Sequence, residues 1–350
     1  MVTERLREML VKLRKEEPPT PSDPAFEGRR SQRGLLLALV IVIPLVATLS
    51  TSLWMRSAYT SHVFHLQGFW GQYYSGVYRY RVLGRELLLS TYRLLAGHRA
   101  DKPFPMPTDP EATLLFYGAY VLVNAVFFFF SNLGLLLLLG NWNKGISDLH
   151  IALYFFVVFL LTLSMYTVTP YDQLAYFFML VCFLSVRFRR SWVMYIVLGI
   201  AAIAGGLNRE TEYLVTPAFL TIALFTASQN SKRYCYAGLY HLFLFAGCYI
   251  GLRLVLPGIS TVAGGMTLGG KWALPSLIVL GALFYISLCM ATQRYRNRKP
   301  ALVLLLLSAP YLVTILLSGE LRELRLLMPL LLCLLFVYVQ LTTLRDRTSV

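Results

Sequence analysis

Residues 205–220 read GGLNRETEYLVTPAFL and form a polar corner between two apolar segments, 191–206 and 211–228. Each segment approaches the roughly 20 apolar residues that a helix needs to cross a bilayer. Backbone groups in lipid must be hydrogen-bonded within the chain, so such segments are predicted to be helices. The corner is therefore a short connection between two membrane helices, and its charged residues need an explanation of their own.

The same apolar pattern covers most of the chain. Of its 350 residues, 57% are hydrophobic and 14% are charged, whereas soluble domains carry about a quarter charged residues. The sequence predicts an all-α, polytopic transmembrane helical bundle of about ten spans, with amphipathic interfacial helices in a long first outer loop, 55–112. The predicted spans are 34–54, 113–140, 149–168, 172–187, 191–206, 211–228, 234–256, 273–292, 300–318 and 325–343.

Positive charge gives the predicted orientation. The net charge is +15, and the Lys and Arg residues of membrane proteins collect in cytoplasmic loops. With the N-terminus inside, every short basic loop of a ten-span chain falls on the same side. We therefore expect a multi-pass plasma (inner) membrane protein with a cytoplasmic basic tail and linker, 1–33, a transmembrane domain, 34–343, and a cytoplasmic C-terminal tail, 344–350. Because topology explains the charge, no nucleic-acid partner is predicted.

Charged residues on the outer side are not explained in this way. Arg81 and Arg85 are four residues apart on one face of a predicted helix, where like charges repel each other. An anion between them removes the repulsion, and guanidinium groups make planar, bidentate contacts that suit phosphate. The arginines predicted to bind an anionic headgroup are Arg79, Arg81, Arg85, Arg209, Arg253, Arg322 and Arg325. The candidate general bases are Asp172, Glu210 and Glu86, and the outer carboxylates also include Glu320 and Glu323.

Each of these residues also has a purely structural interpretation. Thr169 with Asp172 fits a capping box at the start of a helix. Asn208 is placed to cap the next helix, whose first turn carries Glu210. Contacts with anionic lipid headgroups account equally for the arginines of the first loop. Capping does not explain Arg209, which is unfavourable at the positive end of a helix, so a carboxylate from another loop or a ligand phosphate must offset it.

No cofactor is predicted. The five cysteines lie singly in or beside apolar segments, and none of their spacings is that of a metal site. The first-loop histidines His62, His65 and His98 lack helical spacing and are weak ligand candidates. His150 and His241 are expected to be hydrogen-bonded polar residues of helices. The pattern permits a divalent metal but does not indicate one.

The long first loop, the multi-helix bundle and the clustered outer charges resemble the GT-C superfamily of integral membrane glycosyltransferases. NRET at 208–211, YRYRVL at 78–83 and an aspartate that opens a middle helix look like patterns of bacterial members. The resemblance implies sugar transfer from a polyprenyl-phosphate donor to a hydroxyl acceptor on the extracytoplasmic face, with arginines on the lipid phosphate. The acidic residue that the family normally has soon after the first helix is missing from 55–72, which leaves Glu86, Asp172 or Glu210 as the base.

Three other functions fit the same residues. In a transporter or flippase, the outer arginines would form an entry site for an anionic or lipid-linked substrate. An O-antigen-type polymerase or ligase also uses outer arginines on lipid-phosphate substrates. In a non-catalytic subunit, the charges would form ion pairs with membrane-protein partners. The expected partners are a lipid-linked sugar, membrane lipid and, in the last case, other membrane proteins.

Overall fold

A computed structural model describes most of the chain. The described residues are 24–54, 63–73, 76–97, 99–107, 109–140, 148–165, 168–188, 190–226, 228–256, 299–318 and 324–348. Their contacts divide the chain into two units, Met1–Ile43 and Pro44–Val350. The site considered below lies wholly in the second unit.

The described residues are helical, and they contain two isolated antiparallel bridges instead of strands. This confirms the predicted all-α class. The helices are α1 (Pro24–Trp54), α2 (Leu66–Tyr73), α3 (Val82–Ala96), α4 (Leu114–Leu139), α5 (Asp148–Ser164), α6 (Asp172–Ser185), α7 (Ser191–Gly206), α8 (Val215–Phe225), α9 (Ser228–Val255), α10 (Lys299–Leu307), α11 (Ala309–Ser318) and α12 (Leu324–Thr348). Short 3₁₀ helices cover Gly76–Tyr80 and Glu210–Leu214.

Four of the described helices are long and apolar enough to cross a membrane. The candidate spans are Gly34–Leu53, Leu114–Leu139, Asn230–Val255 and Arg325–Leu344. Shorter apolar helices cover His150–Ser164, Asp172–Ser185 and Ser191–Gly206. The described part of the chain is thus all-helical with four candidate membrane spans, while the count of ten spans stays a prediction. The predicted span 273–292 lies outside the described residues, and the predicted span 300–318 is two helices that meet at Ser308.

Helix α12 lies at the centre of the bundle and α9 at its edge. In the most apolar stretch of each helix, 83% of the α12 residues are buried, compared with 17% of the α9 residues. Helix α12 packs against α5, α6 and α8, and its Phe336 stacks on Phe183 of α6 with ring centroids 4.2 Å apart. The outward side chains of α9, such as Phe243, are apolar and exposed, as expected for a face that meets lipid.

The long loop after α1 folds onto the first half of α4. Phe64, Phe69, Leu88 and Met106 form one apolar cluster with residues of α4. Asp109 accepts a hydrogen bond of 2.7 Å from the backbone N–H of Phe64. The sequence predicts amphipathic helices in this loop. Residues 82–96 of the loop form α3, which packs along α4. The loop therefore has a packed core that fixes the position of the α3 N-terminus.

Candidate functional site

Three connections meet at the N-terminus of α3. The backbone N–H of Leu83 donates to the carbonyl of Leu207, which follows α7, at 3.1 Å. The Asn208 side chain donates to the carbonyl of Tyr171, which precedes α6, at 2.9 Å. A Cβ atom on Gly84 would lie 2.5 Å from Tyr171 Cδ1 and 2.8 Å from Asn208 Oδ1, so this close approach requires glycine. We call residues 81–84, 169–171 and 207–209 the loop junction.

Asp172 sits beside the loop junction between two arginines. Its Oδ1 pairs with Arg209, and its Oδ2 lies 3.3 Å from Nη1 of Arg325 at the start of α12. The hydroxyl of Thr169 donates to Oδ2 at 2.7 Å. All four side chains are buried. The sequence predicts that either a carboxylate from another loop or a ligand phosphate offsets Arg209. The structure supplies a carboxylate, that of Asp172.

The two predicted helix caps are wrong. Helix α6 begins at Asp172, and its N-cap residue Tyr171 makes no side-chain cap hydrogen bond. The Thr169 hydroxyl donates to Asp172 instead, and Asp172 also pairs with the two arginines. The 3₁₀ helix Glu210–Leu214 has Arg209 as its N-cap residue, again without a side-chain cap. Its first turn does carry Glu210.

Arg81 is the third arginine of this region. Its guanidinium carbon lies 4.9 Å from the ring centroid of Tyr78 and 5.2 Å from that of Tyr171. Its Nη2 lies 3.7 Å from Oε2 of Glu210, which is beyond hydrogen-bond length. Its Nε is buried and has no hydrogen-bond partner among the described residues.

The arginines are close enough to affect one another. The pKa of Arg209 is lowered to about 10, mainly by burial and then by the positive charges of Arg81 and Arg325. Arg209 still carries its charge at neutral pH. The set Arg81, Arg209, Arg325, Asp172 and Glu210, here called the arginine cluster, holds three positive and two negative charges. Three guanidinium groups therefore meet in this cluster, which favours the binding of an anion.

The other predicted site residues have contacts outside this set. Arg85 pairs with the adjacent Glu86 at 2.7 Å, and its guanidinium stacks over Tyr73. Arg253 stacks over Tyr249 and Tyr80. Arg79 lies partly buried in the 3₁₀ helix Gly76–Tyr80. Arg322, Glu320 and Glu323 lie outside the described residues.

A polar pocket opens on the other side of Asp172. It is a small cavity of about 20 Å³ and lies between α1, α4 and the ends of α5 and α6. Its polar lining residues are Thr48, Thr51, Ser52, Asn124, Ser164, Thr169, Asp172 and Gln173. Both polar atoms of the Gln173 side chain are buried and have no hydrogen-bond partner among the described residues. The pocket can therefore accept a polar group next to the arginine cluster.

Sequence reasoning did not anticipate this pocket. Its threonines and serines lie singly in apolar segments, where they are ordinary residues of membrane helices. The sequence does carry one signal of a polar pocket: the amide side chains of Asn124 and Gln173 lie inside otherwise apolar helices.

Comparison with protein-family models, with curated proteins and with solved structures gives no match to this chain. The likeness to the GT-C superfamily therefore stays a prediction. What the site can do has to be argued from its own residues.

Proposed function

We propose that this chain is a membrane glycosyltransferase that moves a sugar from a polyprenyl-phosphate donor to a hydroxyl acceptor on the extracytoplasmic face of the plasma membrane. The observation that carries the proposal is the convergence of three arginines in the arginine cluster, next to a polar pocket at one end of apolar helices. A lipid phosphate can bind where guanidinium groups converge. Its prenyl chain would run along the apolar helix faces, and a hydroxyl group of its sugar would reach the polar lining of the pocket.

Arg81 and Arg85 are the proposed phosphate ligands. Their side chains are 10% and 13% exposed, while those of Arg209 and Arg325 are 3% and 4% exposed and are held by Asp172. The buried Nε of Arg81 gains a partner when a phosphate oxygen binds it. Arg85 can leave Glu86 for a phosphate, since an ion pair between exposed neighbours contributes little. Arg209 and Arg325 then act as positioning residues that hold Asp172 and add positive potential.

Glu210 is the proposed general base. Both carboxylate oxygens of Asp172 already contact arginines, and one also accepts the Thr169 hydroxyl, so Asp172 offers no position for an incoming acceptor. The Glu210 side chain is 32% exposed, and its ion pair with Arg81 is long at 3.7 Å. An acceptor hydroxyl can therefore approach it.

The reaction moves one proton and exchanges one bond. Glu210 takes the proton of the acceptor hydroxyl. The hydroxyl oxygen forms a bond to the anomeric carbon, and the bond from that carbon to the phosphate oxygen breaks. The polyprenyl phosphate leaves with the additional negative charge, which Arg81 and Arg85 stabilise where it develops.

Turnover with defined donors tests this proposal. The purified protein in nanodiscs is incubated with polyprenyl-phosphate-linked hexoses and a glycan extract as acceptor, and released polyprenyl phosphate is measured. The Glu210→Gln variant should lose about 100-fold or more of the turnover, as expected for removal of a general base, while Glu86→Gln keeps it. Full activity of Glu210→Gln contradicts its assigned role.

If no hexose donor releases polyprenyl phosphate, the glycosyltransferase proposal is wrong. Turnover in the absence of a second compartment excludes a pure transporter.

A further inference from the structure

A second buried group of polar side chains lies on three elements, and none of its members takes part in the proposed reaction. Cys182 of α6, Glu212 of the 3₁₀ helix Glu210–Leu214 and His241 of α9 are all buried. One ligand atom from each of them lies within 4.8 Å of the other two. The Cys182 thiol is 3.4 Å from Oε1 of Glu212, and Nε2 of His241 is 3.7 Å from the same oxygen.

Within this group of three, the Cys182 thiol donates a hydrogen bond to Oε1 of Glu212. The Glu212–His241 separation is too long for a hydrogen bond, and the Glu212 and His241 side chains are 1% and 0% exposed. Oε2 of Glu212 and Nε2 of His241 have no hydrogen-bond partner among the described residues. Leaving such groups buried without partners is unfavourable, and most so for a charged carboxylate. Among the described residues, the ion pair of Glu212 is with His241 alone.

The chain is arranged to keep the Glu212 carboxylate in this position. A Cβ atom on Gly205 of α7 would lie 2.5 Å from Oε2 and 2.6 Å from Cγ of Glu212, so the carboxylate fills space that only a glycine leaves open. The hydroxyl of Thr216 lies 2.9 Å from Nδ1 of His241. When Nδ1 donates to this hydroxyl, the lone pair of Nε2 faces Glu212 and Cys182. A hydrogen bond of this kind orients most histidines that bind metals.

We propose that Cys182, Glu212 and His241 form a binding site for a divalent transition metal, with zinc as the preferred ion. Thiolate, imidazole and carboxylate are the zinc ligands of proteins. Ligand atoms around a tetrahedral zinc at 2.0–2.3 Å lie about 3.3–3.7 Å apart, which matches the two measured separations from Oε1 of Glu212. The ion satisfies the unpartnered Nε2, offsets the buried carboxylate and ties α6, the 3₁₀ helix and α9 together.

This site could not be read from the sequence, because its ligands come from three separate segments. Cys182 and Glu212 are 30 residues apart, and none of the three belongs to a short metal-binding motif. The prediction that His241 is a hydrogen-bonded polar residue of a helix is confirmed for Nδ1 but not for Nε2.

Metal binding is tested on the full-length chain, purified in detergent with an affinity tag that contains no histidine. Zinc is titrated against a chromophoric chelator, the bound metal is counted by mass spectrometry, and cobalt is used as an optical probe. We expect one equivalent of zinc and a thiolate-to-cobalt charge-transfer band. Cys182→Ser should lose that band, whereas the matched control Cys235→Ser, on α9 outside the cluster, should keep it.

A more subtle variant separates metal binding from general damage to the fold. Thr216→Val removes the hydroxyl next to Nδ1 without touching a ligand, and zinc affinity should fall by about 10- to 100-fold. Less than one equivalent of bound metal, or a cobalt spectrum without the thiolate band, overturns the proposal. Unchanged affinity in Cys182→Ser also overturns it, since the metal is then bound elsewhere. If Cys182→Ser does not fold, the cobalt spectrum of the wild-type chain decides the question.

Discussion

At the scale of single residues, Asp172 is the residue on which the candidate site depends. It accepts contacts from Arg209 of the connection after α7 and from Arg325 of α12, and it also receives the Thr169 hydroxyl. Buried charges are stable only when they are paired. Asp172 therefore allows two arginines to remain buried beside each other, and it fixes their positions behind Arg81.

Removing the Asp172 charge should destabilise the chain. Asp172→Asn removes the carboxylate that pairs with the buried Arg209, and breaking such a pair costs about 3–5 kcal/mol. Thr169→Val removes one hydroxyl contact and should cost about 1 kcal/mol. The folded fraction that survives heating in detergent, measured by size-exclusion chromatography, compares the two variants. Equal heat resistance would show that the buried charges are not coupled as described.

Arg81 should control the affinity for a lipid phosphate. Arg81→Gln removes a charged donor, worth about 1.5–3 kcal/mol, so polyprenyl phosphate should bind about 10- to 100-fold more weakly. Arg93→Gln is the matched control, because Arg93 is an exposed arginine of α3, the helix that Arg81 precedes. Native mass spectrometry measures both variants with polyprenyl phosphate and with the uncharged polyprenol. An equal loss in both variants, or equal binding of both lipids to the wild-type chain, contradicts a role for Arg81 in phosphate binding.

At the scale of elements, the packing of α3 on two connections forms the site. Helix α3 belongs to the long loop after α1, and its aromatic and apolar face binds to α4. The N-terminal end of α3 is held to Leu207 by a backbone hydrogen bond, and Gly84 lets Tyr171 and Asn208 approach it. Arg81 precedes this helix directly, so the position of α3 determines where Arg81 lies.

A methyl group at Gly84 should separate these elements. In Gly84→Ala the added carbon would meet Tyr171 and Asn208, and such overpacking costs about 1–3 kcal/mol. At Gly118 of α4 the nearest atom is 3.9 Å away, so Gly118→Ala should leave stability unchanged or raise it slightly, since alanine is the better helix former. Heat resistance in detergent and polyprenyl phosphate binding should both fall in Gly84→Ala alone. Equal behaviour of the two variants would show that the close packing at Gly84 is not required.

Helices could be predicted from the sequence, but the partners of their polar residues could not. The apolar runs of α4, α6, α7 and α12 stand out in the sequence, and their predicted bounds lie within a few residues of the observed ones. The cap assignments at Thr169 and Asn208 failed for different reasons. The Thr169 hydroxyl donates to the Asp172 carboxylate instead of capping the helix, and the Asn208 side chain donates to the carbonyl of the distant Tyr171. Local pattern carries no information about which connections meet in space.

At the scale of the whole molecule, the arginine cluster lies where the connections before α6 and after α7 meet the first turn of α12. The sequence predicted that outer charges would converge, and Arg81, Arg209, Arg325, Asp172 and Glu210 do lie together. It could not separate these five from Arg85, Glu86 and Arg253, which pair with neighbours of their own. The side of the membrane on which the cluster lies stays a prediction from basic loops.

Cysteine labelling tests that orientation. Ser90 of α3 and Lys232 of α9 are both exposed, and the predicted topology puts them on opposite sides of the membrane. In intact cells, a membrane-impermeant maleimide should label Ser90→Cys but not Lys232→Cys, with the wild-type chain as background. After permeabilisation both should react. Labelling of Lys232→Cys in intact cells would invert the topology and place the site on the cytoplasmic face.

The most direct measurement is a cryo-electron microscopy structure of the chain in nanodiscs that contain polyprenyl phosphate. We predict a phosphate between Arg81 and Arg85, with the Nε of Arg81 within hydrogen-bond distance of a phosphate oxygen, Glu210 facing the polar pocket, and Asp172 still held by Arg209 and Arg325. An arginine cluster without lipid, while polyprenyl phosphate occupies another part of the bundle, would contradict the central claim.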